Sequence, residues 1–263
     1  HERLVGSEMC IRDSLNIRGL TRRLTQVNTQ ISIPFILSSK GYGLLWNNYG
    51  LTDFNPADQF VELTPANASG EAVTVNTTGT SGNVRETRQT YSFTASVEVP
   101  RSGSYSLLLD VGQRMARKYY LVIDGQKIMD VNNLWLPPTT SAIVELTAGK
   151  HDIEVQGERN DKPVLYWRPV SEETVFRSPV AQMLDYTVFA GNGDEVIASY
   201  RELTGPAPMM PLWSLGYIHC RERYNTQAEL LENAREFRER KLPIDIIVQD
   251  LSLIHISEPT RRS

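Results

Sequence analysis

The sequence predicts a chain of mixed class, in which a long β-rich region precedes the beginning of an α/β domain. Within residues 91–99, apolar side chains alternate with polar ones at the period of a half-buried strand. Pro206, Pro208 and Pro211 form a stiff linker, and a strand, a helix and a second strand follow it in that order. This change of pattern predicts a domain boundary at the linker.

Both ends of the chain resemble foreign sequence. Residues 3–14 look like one reading frame of a transposase-type sequencing adapter, and residues 251–261 look like the same adapter read from its other strand. We therefore expect residues 1–14 and 251–263 to be non-native. Without Cys10 only Cys220 remains, so no internal disulfide is expected.

The composition excludes several kinds of partner. The 263 residues include 27 Lys and Arg and 31 Asp and Glu, and the net charge of −4 offers no basic surface for nucleic acid or an anionic membrane. No apolar run approaches the roughly 20 residues that span a bilayer. Between the adapter-like ends only His151 and His219 remain as histidines, so neither a metal nor a cofactor is expected.

The first native part of the chain, residues 15–54, has the pattern of strands and tight turns. Residues 27–37 are predicted to be extended, and a second strand begins at residues 44–46. Residues 64–89 are rich in Thr, Asn, Ser and Gly, a composition that favours a loop or a low-complexity linker.

Several short strands follow residues 91–99, and their spacing predicts a sandwich or a compact barrel-like domain. Asp124 and Gly125 are predicted to form a tight hairpin turn, because Gly tolerates positive φ. The further strand candidates are residues 105–111, 119–123, 127–131, 142–146 and 152–155. A connector after Arg168 then leads to a predicted strand at residues 182–189 and a short helix at residues 195–204.

Beyond the proline linker the pattern becomes that of an α/β domain. Residues 212–218 are apolar and are predicted to be extended. Thr226 and Glu229 have capping-box spacing at the start of a helix whose apolar residues form one stripe. Residues 244–248 are typical of a buried strand. One βαβ unit is therefore predicted, and alone it should be unstable, since a parallel barrel does not close on two strands.

Three segments resemble glycoside hydrolase family 31, and they occur in that family's order. They are residues 26–49, residues 185–186 with 205–208, and residues 211–224 with 247–250. The stretch Cys220-Arg221-Glu222-Arg223-Tyr224 most resembles the α-xylosidase branch. The β-rich segment between the first two resembles a protective-antigen-type domain that some bacterial α-xylosidases carry as an insertion.

This resemblance implies an N-terminal β-sandwich of the galactose-mutarotase type, interrupted by an inserted all-β domain and followed by the first βαβ unit of a truncated (β/α)8 barrel. The boundaries that it implies are residues 15–63 and 170–205 for the two parts of the sandwich, 64–169 for the inserted domain and 206–250 for the barrel.

Members of the family are retaining hydrolases that use one aspartate as nucleophile and another as acid/base. In the family both lie on later barrel strands, so the resemblance implies that this chain is a fragment that lacks them and is itself inactive. The implied substrate of the parent protein is an oligosaccharide with α-xylosides, such as xyloglucan side chains. A periplasmic or extracellular location is favoured for the parent, and the oligomeric state stays open.

The resemblance also implies which residues bind the substrate. Asp250 follows an apolar strand, and the family's aspartate at this position accepts hydrogen bonds from sugar hydroxyls in the cleavage subsite. Glu222 is a candidate for the subsite beyond the cleaved bond. Trp46 and Asn47 belong to a sandwich loop that reaches into the active site in the family.

Each of these candidates has a structural alternative. Asp250 could be a solvated loop residue or a helix cap, and Trp46 could be a core residue. A surface charge cluster is the default interpretation of Arg221 and Arg223, and Asp245 is interpreted as structural. Trp135 and Trp167 could offer stacking faces to a sugar, although core packing is favoured.

Two functions remain open beside the α-xylosidase. One is an α-glucosidase of the same family. The other, of a different class, is a non-catalytic carbohydrate-binding or adhesion module built on the β-rich segment. The α/β pattern after Pro211 argues against the module, because a binding module does not need a βαβ unit that ends in an aspartate.

Overall fold

The computed structural model describes residues 17–24, 32–48, 50–79, 82–112, 117–133, 139–221 and 224–250. The chain divides into two compact units, His1–Ser199 and Tyr200–Ser263. The fold is mostly β-sheet with few helices, which confirms the predicted class at that level. Both adapter-like ends lie outside the described residues.

The strands of the first unit are, among the described residues, β1 Arg22–Leu24, β2 Phe35–Ser38, β3 Tyr42–Trp46, β4 Thr52–Phe54, β5 Gln59–Glu62, β6 Thr64–Gly79, β7 Gly82–Val99, β8 Gly103–Asp110, β9 Arg117–Ile123, β10 Gln126–Asn133, β11 Thr139–Leu146, β12 Gly149–Gly157, β13 Val164–Pro169, β14 Phe176–Arg177 and β15 Tyr186–Ala190. The helix α1 follows at Gly193–Thr204, which confirms the short helix predicted at residues 195–204.

Two large antiparallel sheets form most of the first unit. One has the strand order β10-β9-β12-β7-β6, and the other has the order β11-β8-β13-β5. Tyr105, Leu107 and Leu109 alternate along β8, are at most 1% exposed, and join residues of both sheets in one hydrophobic cluster. Burying a side chain of this size contributes about 1.5–3 kcal/mol. The core of the unit therefore lies between the two sheets.

The opposite face of β8 is buried as well, because the segment around β1 crosses it. Leu108 is 4% exposed and Ser106 is fully buried. The Ser106 hydroxyl oxygen accepts a hydrogen bond from the backbone N–H of Thr21 at 2.7 Å, and Arg23 donates to Asp110 at 2.7 Å. Residues 105–109 are thus buried on both faces of the sheet.

Strands β6 and β7, which cover residues 64–79 and 82–99, pair as a long antiparallel β-hairpin, so the loop or linker predicted at residues 64–89 is wrong for the described residues. β6 pairs with β7 from Ala72↔Gln89 to Gly79↔Gly82. The prediction failed because a ribbon at a sheet edge pairs through its backbone, and its threonines favour strands without apolar alternation. β6 also contacts β9 and β10, and Val75 is only 2% exposed. The hairpin therefore folds back over the sheet.

The predicted turn between β9 and β10 is confirmed. Asp124 and Gly125 have φ angles of 49° and 78°, and positive φ at both central residues is typical of the type I′ turns that join twisted strands. The Asp124 carboxylate also accepts a hydrogen bond from the backbone N–H of Asp152 at 2.8 Å. This contact fixes the turn against β12.

His151 bridges the same turn from a buried position on β12. Its Nδ1 lies 2.5 Å from Asp124 Oδ2, and its Nε2 lies 2.8 Å from the carbonyl oxygen of Thr147. Both partners are acceptors, so both ring nitrogens must donate, which requires the protonated imidazole. The Thr147 carbonyl and then the Asp124 carboxylate raise the pKa of His151, and the hydrogen bond from His151 lowers the pKa of Asp124.

These shifts predict how the stability of the first unit depends on pH. The contribution of His151 is complete below its unfolded pKa of about 6.5 and is lost as the pH rises through its raised folded pKa. The contribution of Asp124 is complete above its unfolded pKa of about 3.9 and is lost as the pH falls through its lowered folded pKa. We expect the urea midpoint to fall by the equivalent of about 1 kcal/mol or less between roughly pH 6 and 9, since water screens the half-exposed Asp124.

The variant His151→Gln should flatten this pH dependence, because glutamine does not titrate. His219→Gln, a substitution of the same kind in the second unit, is the matched control and should keep the wild-type profile. Urea unfolding followed by circular dichroism across the pH range measures both. An unchanged slope in the His151 variant would contradict the assignment.

Two smaller sheets, β1-β4-β14 and β15-β3-β2, complete the first unit. Gly43 lets α1 approach β3, because a Cβ atom there would lie 2.4 Å from Val196 Cγ1. The predicted strand at residues 182–189 is wrong in its first half. β15 begins at Tyr186 because its only partner within the described residues, β3, ends at Trp46. Of the predicted extended stretch, residues 27–31 lie outside the described residues, and β2 begins at Phe35.

The second unit contains a 3-10 helix at Leu212–Leu215, strand β16 at Ile218–Arg221, helix α2 at Gln227–Glu239 and strand β17 at Ile246–Gln249. The extended conformation predicted for residues 212–218 is wrong for residues 212–215, because the backbone carbonyl of Pro211 accepts hydrogen bonds from both the backbone N–H and the hydroxyl of Ser214, which closes a helical turn. The strand begins only at Ile218. β16 and β17 pair in parallel, so the predicted strand–helix–strand order is confirmed. No described helix is long and apolar enough to cross a bilayer.

Candidate substrate-binding site

The candidate site lies where β16 and β17 end side by side. The parallel register runs from Ile218↔Ile246 to Arg221↔Gln249, so the two strands reach the same edge of the sheet together. Residues at the carboxyl ends of parallel strands are the ones that build sites in α/β folds. Asp250 directly follows this edge and is exposed.

The start of β17 is fixed at the opposite edge by Asp245. Its Oδ2 accepts a hydrogen bond from the backbone N–H of Tyr217 at 3.1 Å, and its own backbone N–H donates to the Tyr217 carbonyl at 3.0 Å. A Cβ atom at Gly216 would lie 2.0 Å from the same carboxylate oxygen. These contacts support the structural interpretation of Asp245.

The start of α2 is held by Glu229. Thr226 is the N-cap, and its hydroxyl oxygen accepts a hydrogen bond from the backbone N–H of Glu229 at 3.1 Å. The Glu229 carboxylate accepts a hydrogen bond from the backbone N–H of Asn225 at 2.8 Å. In a capping box this carboxylate would accept from the backbone N–H of the N-cap residue, Thr226, so the contact is shifted by one residue. The second carboxylate oxygen of Glu229 pairs with Arg221 at 3.0 Å. The half-exposed Arg221 is thus tied to α2.

Asp250 has one contact with β16. The Cys220 thiol lies 3.9 Å from Asp250 Oδ2, and Asp250 Oδ1 has no hydrogen-bond partner among the described residues. An ionised carboxylate only accepts hydrogen bonds, and it can accept two directed ones from neighbouring hydroxyls. The arrangement therefore leaves acceptor capacity for a polyol at the edge of the sheet. Sequence reasoning missed Cys220, whose proximity follows from its register opposite Val248.

Tyr224, the last residue of the stretch that resembles the α-xylosidase branch, is buried. Its side chain is fully buried, its carbonyl oxygen accepts from Gln249 Nε2 at 3.4 Å, and the Arg221 guanidinium lies 5.6 Å from its ring centroid. Burial raises the pKa of the Tyr224 phenol. Its hydroxyl has no hydrogen-bond partner among the described residues. Tyr224 therefore packs beneath the edge and supports Gln249.

The other candidates are placed as follows. Glu222 lies outside the described residues. Trp46 and Asn47 lie at the end of β3 in the first unit, next to each other. The half-buried Trp46 stacks on Phe176 with ring centroids 5.8 Å apart and planes at 10°, and its indole N–H donates to Ser178 at 3.0 Å.

Asn47 is exposed, and Asp185, which directly precedes β15, holds it in place. Its side-chain amide donates to the Asp185 carboxylate at 2.5 Å, and its backbone N–H donates to the Asp185 carbonyl at 3.0 Å. The two residues are thus anchored: Trp46 by an aromatic partner and Asn47 by a carboxylate. Their role toward a substrate stays a prediction.

Trp167 packs in the core, with 9% exposure and its ring centroid 5.9 Å from that of Tyr105, as the favoured interpretation predicts. Trp135 lies outside the described residues. Within the part of the chain that the structure describes, no group of three or more His, Cys, Asp or Glu side chains could hold a metal ion.

A family model, curated relatives and a solved structure all match this chain. Residues 207–260 match the model of the glycosyl hydrolases family 31 TIM-barrel domain. This match includes residues 251–260, which the sequence predicts to be non-native, and that expectation stays a prediction.

Two curated relatives are an alpha-xylosidase and an alpha-glucosidase. An alpha-xylosidase of Saccharolobus solfataricus is 27% identical over 237 residues, which cover 90% of this chain and 17% of that protein. Alpha-glucosidase 2 of Bacillus thermoamyloliquefaciens is 42% identical over 69 residues, 26% of this chain and 9% of that protein. This chain thus spans less than a fifth of the length of either relative.

Among solved structures, the GH31 alpha-xylosidase from Xanthomonas citri matches 90% of this chain and 30% of its own length, with a TM-score of 0.65 and 26% identity. The match to one solved α-xylosidase over most of the chain accords with the curated matches.

Proposed function

We propose, on the premise that this chain belongs to glycoside hydrolase family 31, that it forms part of a retaining α-xylosidase and supplies a sugar-binding aspartate at the first barrel strands. The observation that carries this proposal is the position of Asp250. It is exposed, directly follows β17 beside the parallel strand β16, and lies in the segment that matches the family's barrel domain.

In the proposed mechanism, this segment binds the sugar, and the rest of a complete enzyme supplies the catalytic groups. A retaining hydrolase needs one carboxylate to attack the sugar and another group to donate and then remove a proton. We propose that both lie on later barrel strands, outside this chain. Asp250 would accept hydrogen bonds from two sugar hydroxyls and hold the ring in the cleavage subsite.

We propose that the β-rich region is a sandwich with an insertion, and the strand pairing supports this. β3 pairs with β15, and β4 pairs with β14, so strands before and after the two large sheets join each other. β5 already pairs with β13. The proposed inserted domain therefore begins near Gln59, a few residues earlier than the sequence boundary at residue 64.

The xyloside preference rests on the two α-xylosidases that match about nine-tenths of the chain. An α-glucosidase is the second candidate, because a relative of that activity has 42% identity over 69 residues. A non-catalytic carbohydrate-binding module is less well supported, because it does not account for the parallel βαβ unit.

The test is hydrolysis by the complete enzyme. We expect a 4-nitrophenyl α-xyloside to be cleaved faster than the matching α-glucoside, and proton NMR should show α-xylose as the first product, since two displacements retain the anomeric configuration. Faster cleavage of the glucoside would favour the second candidate. A first product with the β configuration would contradict the retaining mechanism.

The chain of 263 residues should not turn over the aryl α-xyloside by itself, because the proposal places its nucleophile and its acid/base elsewhere. Release of 4-nitrophenol above the uncatalysed rate would refute this assignment. A sample purified in the same way from cells that lack the gene is the control, because turnover in that sample comes from a contaminant.

A further inference from the structure

A polar cavity lies in the first unit at one end of the four-stranded sheet. It is bordered by the ends of β5 and β13 and by the segment that leads to β14, and its volume is about 440 Å³. That volume falls within the roughly 300–1,000 Å³ that small-molecule sites occupy. Three arginines and two carboxylates line it, namely Arg101, Arg168, Arg177, Asp58 and Glu173, together with Trp167.

Arg168 makes its hydrogen bonds without an opposite charge. Its guanidinium donates to the carbonyl oxygens of Pro169 and Pro56, each at 3.4 Å, and to the hydroxyl of Ser171 at 2.7 Å. All three acceptors are neutral, and Arg168 has no ion pair among the described residues. A guanidinium carries five N–H groups, so one N–H on each terminal nitrogen remains for a ligand.

The other charges of the cavity leave an excess of one positive charge. Arg177 pairs with Asp58 at 2.5 Å. The side chain of Arg101 is exposed and has no partner among the described residues, while its backbone carbonyl accepts from Tyr105 Oη at 2.8 Å. Glu173 likewise has no partner among the described residues. With the Arg177 pair neutral, Arg101 and Arg168 face a single carboxylate, that of Glu173.

We propose that this cavity binds the carboxylate of a hexuronic acid, an acidic sugar, through Arg101 and Arg168. Arginine is suited to carboxylates because its planar N–H groups match the two oxygens. One excess positive charge balances a monoanion and leaves a dianionic phosphate uncompensated. Glu173 and Gln59 provide acceptors for sugar hydroxyls, and Trp167 contributes apolar surface to the lining.

This site is separate from Asp250, and its existence does not depend on the proposed hydrolysis. It adds a recognition element for acidic saccharides to a chain whose family acts on glycosides. A failed hydrolysis test would leave this proposal standing, because the experiment below measures binding alone.

The test is calorimetric titration of the 263-residue chain with glucuronate, glucose and inorganic phosphate at low salt. We expect saturable binding of glucuronate alone at concentrations up to roughly 10 mM. Arg168→Gln should weaken it at least about tenfold, and Arg101→Gln about fivefold because that side chain is exposed. Arg85→Gln, which removes an exposed arginine from the β6–β7 hairpin, is the matched control and should leave the affinity unchanged.

Arg101→Gln keeps the result interpretable if Arg168→Gln fails to fold, because the Arg101 side chain has no contact among the described residues that the fold could lose. Equal binding of glucose would overturn the role of the arginines, and equal or tighter binding of phosphate would overturn the assignment to a carboxylate. Absence of glucuronate binding, or an undiminished affinity in Arg101→Gln, would also overturn the proposal.

Discussion

The substitution Asp250→Asn should lower kcat/KM of the complete enzyme for a 4-nitrophenyl α-xyloside by about 10²–10⁴-fold. A hydrogen bond to a charged group contributes about 1.5–3 kcal/mol, and Asp250 is proposed to accept two of them from the substrate. Asparagine keeps the shape but loses the charge and one acceptor oxygen. Steady-state kinetics measures the effect, and binding that tightens in the transition state should make kcat fall as well.

Asp245→Asn is the matched control, because Asp245 directly precedes β17 and Asp250 directly follows it. Its carboxylate accepts from the backbone N–H of Tyr217, an interaction that an asparagine oxygen can also make, so we expect kcat/KM within about threefold of wild type and a small loss of stability. If Asp250→Asn also stayed within that range, Asp250 would be a solvated residue, and the proposed subsite would be wrong.

The variant Leu121→Ala should destabilise the first unit by about 2–5 kcal/mol. Leu121 is fully buried in the cluster between the two large sheets. It pairs with Met129 of β10 and Val155 of β12. Because strands lie on both sides of it, neighbouring side chains have little freedom to move into the cavity that the substitution creates. Because a domain is stable by only about 5–15 kcal/mol, the urea midpoint followed by tryptophan fluorescence should move far to lower concentration.

Leu184→Ala is the control for this experiment, since Leu184 precedes β15 in the same unit and is 68% exposed. The substitution removes the same side-chain atoms as Leu121→Ala without leaving a cavity, so the urea midpoint of this variant should change little. Equal midpoints for the two variants would show that the cluster around Leu121 does not hold the unit together.

The sequence was most informative where a local interaction decides the structure. Thr226 caps α2 through its own hydroxyl oxygen, and Asp124 with Gly125 forms the turn that its φ preferences favour. Sequence reasoning failed where the partner is distant along the chain. Residues 64–79 have a polar composition that favours a loop, yet β6 forms because β7 supplies its backbone hydrogen bonds.

For the candidate site, the sequence placed Asp250 immediately after a strand, and that strand is half-buried and not fully buried as predicted. The sequence could not identify the neighbours of Asp250. Cys220 reaches the Asp250 carboxylate only because β16 and β17 pair in parallel with Cys220 opposite Val248. Tyr224 ends the stretch that resembles the α-xylosidase branch, and only packing shows that its side chain is buried. The cavity beside Trp167 left no sequence signal, because its arginines are separated by 67 and 9 positions.

By itself the sequence determined the change from a β-rich to an α/β pattern, the helix caps and the tight turns, because these depend on side chains within a few residues of each other. Only the tertiary structure decided which strands pair, which face of β8 is covered by β1, and which charged groups meet in one cavity. The physical reason is that strand pairing and burial depend on contacts between residues far apart in the chain, and local preference does not specify those contacts.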